Sequence, residues 1–180
     1  MANEIETKVL DIDEAAVKEK LAALGAQKIK ETVLSVDWFR PKGIKEGEDP
    51  WFLRIRTDGT GAHEVTWKPK SEIIGNVRRH KEINFSIGDR EALADLFEEL
   101  GLELYAHQEK KRSSFTLPSW RFDIDQYPKM PAFMEVEGMS AEHVNEAIAL
   151  LGLAGNRTWA EGERTLIQKI YGLDWYEMRF

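Results

Sequence analysis

Apolar and polar residues alternate along most of this chain in short runs, the two-residue period of an extended strand, and turn residues or helical stretches separate the runs. The first run, Glu4-Ile5-Glu6-Thr7-Lys8, sets Glu4, Glu6 and Lys8 on one face and Ile5, Thr7 and Val9 on the other. Residues 28–40 follow the same period. The run Trp51–Thr57 places Arg54 and Arg56 opposite Leu53 and Ile55, and the turn Asp58-Gly59-Thr60-Gly61 leads into an antiparallel partner. That partner, residues 63–70, carries Glu64, Thr66 and Lys68 on one side and Val65 and Trp67 on the other. Residues 77–87 read as one more strand, with Arg78, His80, Glu82 and Asn84 alternating with Arg79, Lys81, Ile83 and Phe85. In residues 102–117, Lys110, Arg112 and Ser114 share a face. Residues 120–126 present Arg121, Asp123 and Asp125 against Phe122 and Ile124, and residues 133–137 align Glu135 and Glu137 beside Met134 and Val136.

Helical spacing breaks this pattern in four places. Ala16, Val17, Leu21 and Leu24 recur after the helix start at Asp11-Ile12-Asp13 and stop at Gly25. Leu93, Leu96, Phe97 and Leu100 mark an amphipathic helix over residues 89–100. Ser140 caps a helix over residues 142–151, and residues 160–171 are predicted helical, followed by aromatics that pack onto the body. The segment from Pro41 to Pro50 is an exposed loop. Eight strands with helices between some of them predict an α+β fold, an antiparallel β-barrel within residues 3–138 with carboxyl-terminal helices over 140–180.

Composition narrows the picture. A chain of 180 residues suits one domain, residues 1–180, and a charged fraction of 32% exceeds what a surface alone requires. The net charge of -7 argues against general affinity for nucleic acid or anionic membrane. No cysteine is present, which fits a reducing cytoplasm, and neither a signal peptide nor an apolar run of membrane-spanning length is apparent.

The placement of the charged rows is the central question. Were they to face water, the helices would have few apolar surfaces to cover; facing inward, they leave the apolar rows as outer seats for the helices. An interior so lined cannot be dry, because burying one unpaired charge costs several kcal/mol. It must hold water, ions and a ligand. Glu4, Glu6, Asp123, Asp125, Glu135 and Glu137 offer the oxygen ligands that Mg²⁺ or Mn²⁺ prefers. Lys8, Arg54, Arg56, Lys68, Lys110 and Arg112 offer donors for phosphate oxygens. Together they imply a metal-bound polyphosphate.

Glu4-Ile5-Glu6-Thr7-Lys8 resembles the ExExK signature of the CYTH superfamily, the triphosphate tunnel metalloenzymes, which includes class IV adenylyl cyclases, thiamine triphosphatases and inorganic tripolyphosphatases. Further blocks follow in family order: Arg54-Ile55-Arg56 as RxR, Thr66-Trp67-Lys68 as TxK, Lys110-Lys111-Arg112 as KxR, Asp125 as the tunnel aspartate, and Glu135-Val136-Glu137 as the closing ExE. The resemblance implies an eight-stranded tunnel, triphosphate bound by the basic rows, and one or two divalent ions held by Glu4, Glu6, Asp125, Glu135 and Glu137. It also implies a catalytic role for Glu4, Glu6 and Lys8, and homodimers are common among similar proteins. Where similar proteins often carry RxExE, this chain has His80, Glu82 and Asn84, so His80 takes a phosphate-contact position, Glu82 joins Glu64, Thr66 and Asp123 in the lining, and Arg78 is a candidate substitute.

Three functions fit. A triphosphatase acting on tripolyphosphate or a related triphosphate needs only alignment and charge neutralisation. A class IV adenylyl cyclase, making cyclic AMP and pyrophosphate from ATP, needs in addition a base pocket and an aligned ribose hydroxyl. A non-catalytic triphosphate or polyphosphate receptor would be better served without the carboxylate rows. Trp51, Trp67 and Trp159 are assigned to packing rather than to stacking on a ligand.

Overall fold

The computed structural model of the protein describes residues 3–180. The long strands are β1 (Asn3–Val9), β2 (Gln27–Pro41), β3 (Trp51–Thr57) and β4 (His63–Pro69), then β5 (Glu72–Ile74), β6 (Val77–Lys81), β7 (Ile83–Ile87), β8 (Leu102–Leu117), β9 (Trp120–Gln126) and β10 (Phe133–Gly138). Helices α1 (Glu14–Ala23), α2 (Arg90–Glu99), α3 (Ala141–Leu150) and α4 (Glu163–Tyr171) interrupt them, and β11 (Thr158–Trp159) and β12 (Glu177–Met178) are two-residue additions. The hydrogen-bonded order is β5-β6-β1-β10-β9-β8-β2-β3-β4-β7. These ladders are antiparallel; β12 alone joins parallel, beside β8.

Residues 77–87 are not one continuous strand. The chain breaks at Glu82, so that β6 pairs with β1 while β7 pairs with β4. Each end of the bent segment finds a different neighbour, and that bend is what joins the two ends of the hydrogen-bonded path. With β5 set aside and β6 and β7 taken as one bent strand, eight strands surround the interior.

Register fixes which side chains share that interior. Glu6 lies opposite Glu137 and Arg78, Lys8 opposite Glu135, Glu135 opposite Asp123, Arg112 opposite Asp125, and Arg56 opposite Glu64. Their neighbours in sequence point outward and seat the helices. Val9, Phe122, Ile124, Met134 and Val136 form one outer core with Val17 and Leu21 of α1 and with Val144, Ala147 and Ile148 of α3. Leu53, Ile55 and Val65 form another with Leu93 and Phe97 of α2. Capping is local: Asp13, Asp89 and Ser140 accept hydrogen bonds from Ala16, Ala92 and His143 backbone N–H groups.

A third cluster departs from the expectation of a wholly ionic interior. Leu34, Val36 and Trp38 of β2 share the inner face with Lys110, Gln108 and Ala106 of β8, and they pack with Tyr127, Phe133, Leu166 and Ile167 of α4 and Trp175. The carboxyl-terminal segment therefore fills part of the barrel with apolar side chains, and only the remainder is left to the charged rows.

Gly138 ends β10 where α3 begins. An added Cβ would lie 2.9 Å from His143 Nδ1 and 3.3 Å from the Val144 backbone nitrogen, and that backbone cannot yield without moving the helix. Gly138→Ala is expected to cost about 1–3 kcal/mol, measured as a lower urea midpoint with an unchanged slope.

Candidate active site

A cavity of about 330 Å³ opens inside the charged part of the barrel, within the size range of small-molecule sites. Glu4 and Glu6 from β1, Arg54 and Arg56 from β3, Glu64 and Lys68 from β4, and Arg78 from β6 reach its wall, with Glu82 at the bend. Arg112 of β8, Arg121 and Asp123 of β9, and Glu135 and Glu137 of β10 add to the charged lining. Lys8, Thr66, His80, Lys110 and Asp125 have their side chains on the same inner face but lie buried behind the wall. Both Arg78 and His80 thus face inward, since residues two apart on β6 share a side.

Ion pairs make the buried charges tolerable. Arg78 donates from Nε to Glu6 at 2.7 Å. Arg112 donates to Asp125 at 2.6 Å, to Glu135 at 2.8 Å and pairs with Asp123 at 2.9 Å. Lys8 lies 3.3 Å from Glu135 and donates to the Glu161 carbonyl at 3.1 Å. Lys68 pairs with Glu82 at 2.9 Å, and Arg56 pairs with Glu64. Burial by itself would raise the Glu6 and Glu135 carboxyls; Arg78 overcomes this at Glu6 and Lys8 with Arg112 at Glu135, holding both below the usual carboxylate range. Burial, then the nearby Arg54, pulls the Lys68 ammonium down.

Two groups have no direct ion-pair partner among the described residues, although Arg54 also acts at longer range on the Glu82 carboxylate. Arg54 is 7% exposed and forms no ion pair among the described residues; its Nε has no hydrogen-bond partner, and the guanidinium lies 5.4 Å from the Trp38 ring centre. Glu137 is pushed up to about 7, first by burial and then by Glu4 and Glu6. The first is a cation in want of an anion, the second a carboxylate crowded by its own kind.

Several wall residues were not expected from the sequence. Glu163, the first residue of α4, enters the barrel and accepts hydrogen bonds from Lys110 at 2.6 Å and from the Tyr127 hydroxyl at 2.6 Å. An acid in the first turn of a helix is ordinarily explained by the helix dipole, so no sequence signal set it apart. The loop at 42–50 is more than surface: Gly47 and Asp49 reach the cavity, and Asp49 is tied to Arg164 of α4 at 2.8 Å. Trp51, Trp67 and Trp159 stay off the wall, whereas Trp38, Phe52 and Trp175 contribute to it.

Fit to a divalent cation differs among the acids. Glu4, Glu6 and Glu137 reach the open cavity, Glu6 with one oxygen held by Arg78, and the negative charge that raises the Glu137 carboxyl is one a cation would relieve. The acids whose oxygens converge within 4.8 Å are instead Asp125, Glu135 and Glu163, and Glu4 with Glu82 beside His80. Asp125 is fully buried and taken up by Lys110 and Arg112. Glu135 reaches the wall with its oxygens already shared between Lys8 and Arg112.

The antiparallel barrel thus carries facing rows of acids and bases on its inner wall. The CYTH domain family matches residues 2–165, and the chain belongs to that family. A relative named "Putative adenylate cyclase MJ0240", from Methanocaldococcus jannaschii, is 31% identical over 144 residues, 79% of this chain and 80% of that protein. Among solved structures, the PH1819 protein of Pyrococcus horikoshii superposes with a TM-score of 0.75 at 18% identity, covering 92% of this chain and 98% of that one. The protein described as "Putative adenylyl cyclase HpAC1", from Hippeastrum, superposes with a TM-score of 0.65 at 15% identity, covering 94% and 96%. These two likenesses establish the fold. No helix among the described residues is long and apolar enough to cross a membrane.

The Glu137 shift has a definite sign. Its folded-state pKa lies above the unfolded value, so it favours the folded state at low pH and becomes a cost as pH rises through about 7. Glu137→Gln removes that cost in metal-free protein. Discounting for solvent access, the gain is about 1 kcal/mol at pH 8, or about 2–4 °C in thermal midpoint, and it vanishes at pH 4. Thermal melts of both proteins at the two pH values, with chelator present, test this.

Proposed function

We propose that the protein is a divalent-metal-dependent phosphohydrolase acting on inorganic tripolyphosphate or a related triphosphate held inside the barrel. The observation that carries this reading is Arg54, a buried guanidinium without a counter-ion on the cavity wall. Leaving such a group unpaired is costly, and a phosphate oxygen is the partner that its planar donors fit. Arg56, Lys68, Arg78 and Arg112 stand on the same wall, so several anionic oxygens can be neutralised together, which a polyphosphate requires and a single carboxylate ligand does not.

Glu4, Glu6 and Glu137 would hold the divalent ion, Mg²⁺ or Mn²⁺, which when bound supplies charge neutralisation at phosphate and a more acidic water. Arg54 and Arg56 align the polyphosphate from the opposite side of the barrel, on β3. Lys68 and Arg78 are now engaged by Glu82 and Glu6 and would turn to phosphate oxygens as those arrive. Asp125 and Glu135 act by holding Arg112, while Lys8 and Lys110 anchor Glu135 and Glu163 from behind the wall. Pre-positioned donors of this kind stabilise the charge that spreads over the transferred phosphoryl group in the transition state. The Hippeastrum relative is described as having a dominant triphosphatase activity, in keeping with this reading.

A second reading is a class IV adenylyl cyclase. Trp38, Phe52 and Trp175 on the cavity wall give an aromatic surface on which a base could rest, and the relative from Methanocaldococcus jannaschii carries a cyclase name. A non-catalytic receptor is the weaker reading, because Glu4, Glu6 and Glu137 would repel a bare polyphosphate.

Purified protein with Mg²⁺ or Mn²⁺, offered tripolyphosphate, ATP and thiamine triphosphate separately, is expected to release phosphate fastest from tripolyphosphate. Cyclic AMP and pyrophosphate from ATP without phosphate release would replace this reading with the cyclase, and saturable binding without product would replace it with the receptor. Glu4→Gln or Glu6→Gln is expected to abolish metal-dependent turnover with the fold retained by circular dichroism. Arg56→Ala removes charge-assisted hydrogen bonds of about 1.5–3 kcal/mol, so KM should rise about 10- to 100-fold with a smaller change in kcat.

A further inference from the structure

His80 stands on the inner face of β6, and its surroundings are unlike those of a phosphate contact. Its side chain is 0% exposed, with Glu4 at 26% and Glu82 at 8%. The three meet only through tertiary pairing, since Glu4 of β1 lies opposite His80 of β6 and Glu82 sits at the bend that follows. Its Nδ1 has no hydrogen-bond partner, which is rare for a buried polar group. Nε2 faces two carboxylates, 3.3 Å from Glu4 Oε2 and 3.6 Å from Glu82 Oε2.

Those separations suit a shared cation. A charge-assisted N–H···O bond closes to about 2.7–2.9 Å, shorter than either distance. Nitrogen and oxygen atoms bound tetrahedrally at about 2.0–2.2 Å to a common ion stand about 3.4 Å apart from one another. One donor atom from each of the three residues falls within 4.8 Å of the others.

We propose that Glu4, His80 and Glu82 form a cation site for a borderline transition metal ion, Zn²⁺ or Co²⁺, distinct from the all-oxygen set of Glu4, Glu6 and Glu137. One imidazole nitrogen with two carboxylates selects such ions over Mg²⁺, which takes oxygen ligands and keeps its waters. Glu4 belongs to both sets, and its Oε2 is the oxygen that faces His80. Lys68 now shares Glu82 Oε2 at 2.9 Å, and Asn84 donates to Glu82 Oε1 at 2.6 Å. On metal binding, Asn84 holds the carboxylate in place, and Lys68, which reaches the cavity wall, turns toward the cavity. The site stands apart from the choice between hydrolysis and cyclisation, because its test reads metal binding and not turnover.

Full-length protein is titrated with Co²⁺ and Zn²⁺, following the visible Co²⁺ absorption bands and measuring stoichiometry by equilibrium dialysis, alongside His80→Gln and His80→Arg. Wild type should develop bands from a nitrogen-containing site, displaced by Zn²⁺. Both variants should bind Zn²⁺ at least about tenfold more weakly, with Mg²⁺ affinity unchanged. Arginine preserves a positive charge between the two carboxylates, so an imidazolium that merely bridges them predicts Zn²⁺ affinity equal in wild type and His80→Arg. That equality, or Co²⁺ bands unaffected by His80→Gln, overturns the proposal. Should thermal melts show that a His80 variant does not fold, Glu82→Gln takes its place with the same expected loss.

Discussion

The pairing of Arg112 with Asp125, Asp123 and Glu135 is the contact on which the interior depends. It sits where β8, β9 and β10 run side by side, and it lets three inward carboxylates and a guanidinium be buried without leaving any of them alone. Breaking a buried pair by removing one partner costs about 3–5 kcal/mol, so the network penalises every arrangement in which these strands slip. A slip of one residue would exchange Arg112 for Lys111 and Asp125 for Ile124 or Gln126. Charge therefore specifies register here, as apolar packing does in an ordinary barrel.

Burial of the ionic rows requires apolar surface elsewhere, and the chain provides it outside the barrel. Because β-strand side chains alternate, the inward charges of β1, β3, β9 and β10 each bring an outward Val, Ile, Phe or Met, and α1, α3 and α2 cover those rows. The hydrophobic contribution to stability accordingly comes mainly from the helix-to-sheet layers, not from a plugged barrel centre. The exception lies at α4, where Leu166 and Ile167 meet Val36, Trp38 and Phe133. Lys110 and Tyr127, both bonded to Glu163, stand between that apolar part and the charged one.

The cavity thus combines satisfied charges with a few that are not. Paired groups such as Arg112 and Glu135 form a rigid frame. Arg54, lacking a counter-ion, and Glu137, crowded by Glu4 and Glu6, mark where the molecule on its own is electrostatically incomplete. Incompleteness of opposite sign on different strands is what a ligand carrying both a cation and an anion would correct, and membership of the CYTH domain family agrees with it.

Much of this was readable from local pattern. A period of two is a property of the strand itself, so Glu4 with Glu6, Arg54 with Arg56 and Glu135 with Glu137 could be assigned to common faces before any partner strand was known, and the abundance of both signs placed those faces inside. What pattern could not reach were relations between distant segments. Whether Asp125 would reach the cavity or be consumed by Lys110 and Arg112, whether residues 77–87 would bend at Glu82, and whether Glu163 would enter the barrel each depend on neighbours supplied by long-range pairing. The sequence determined the faces because alternation is local; the tertiary structure decided which charges are spent on one another and which stay open, because that follows from distances between strands far apart in the chain.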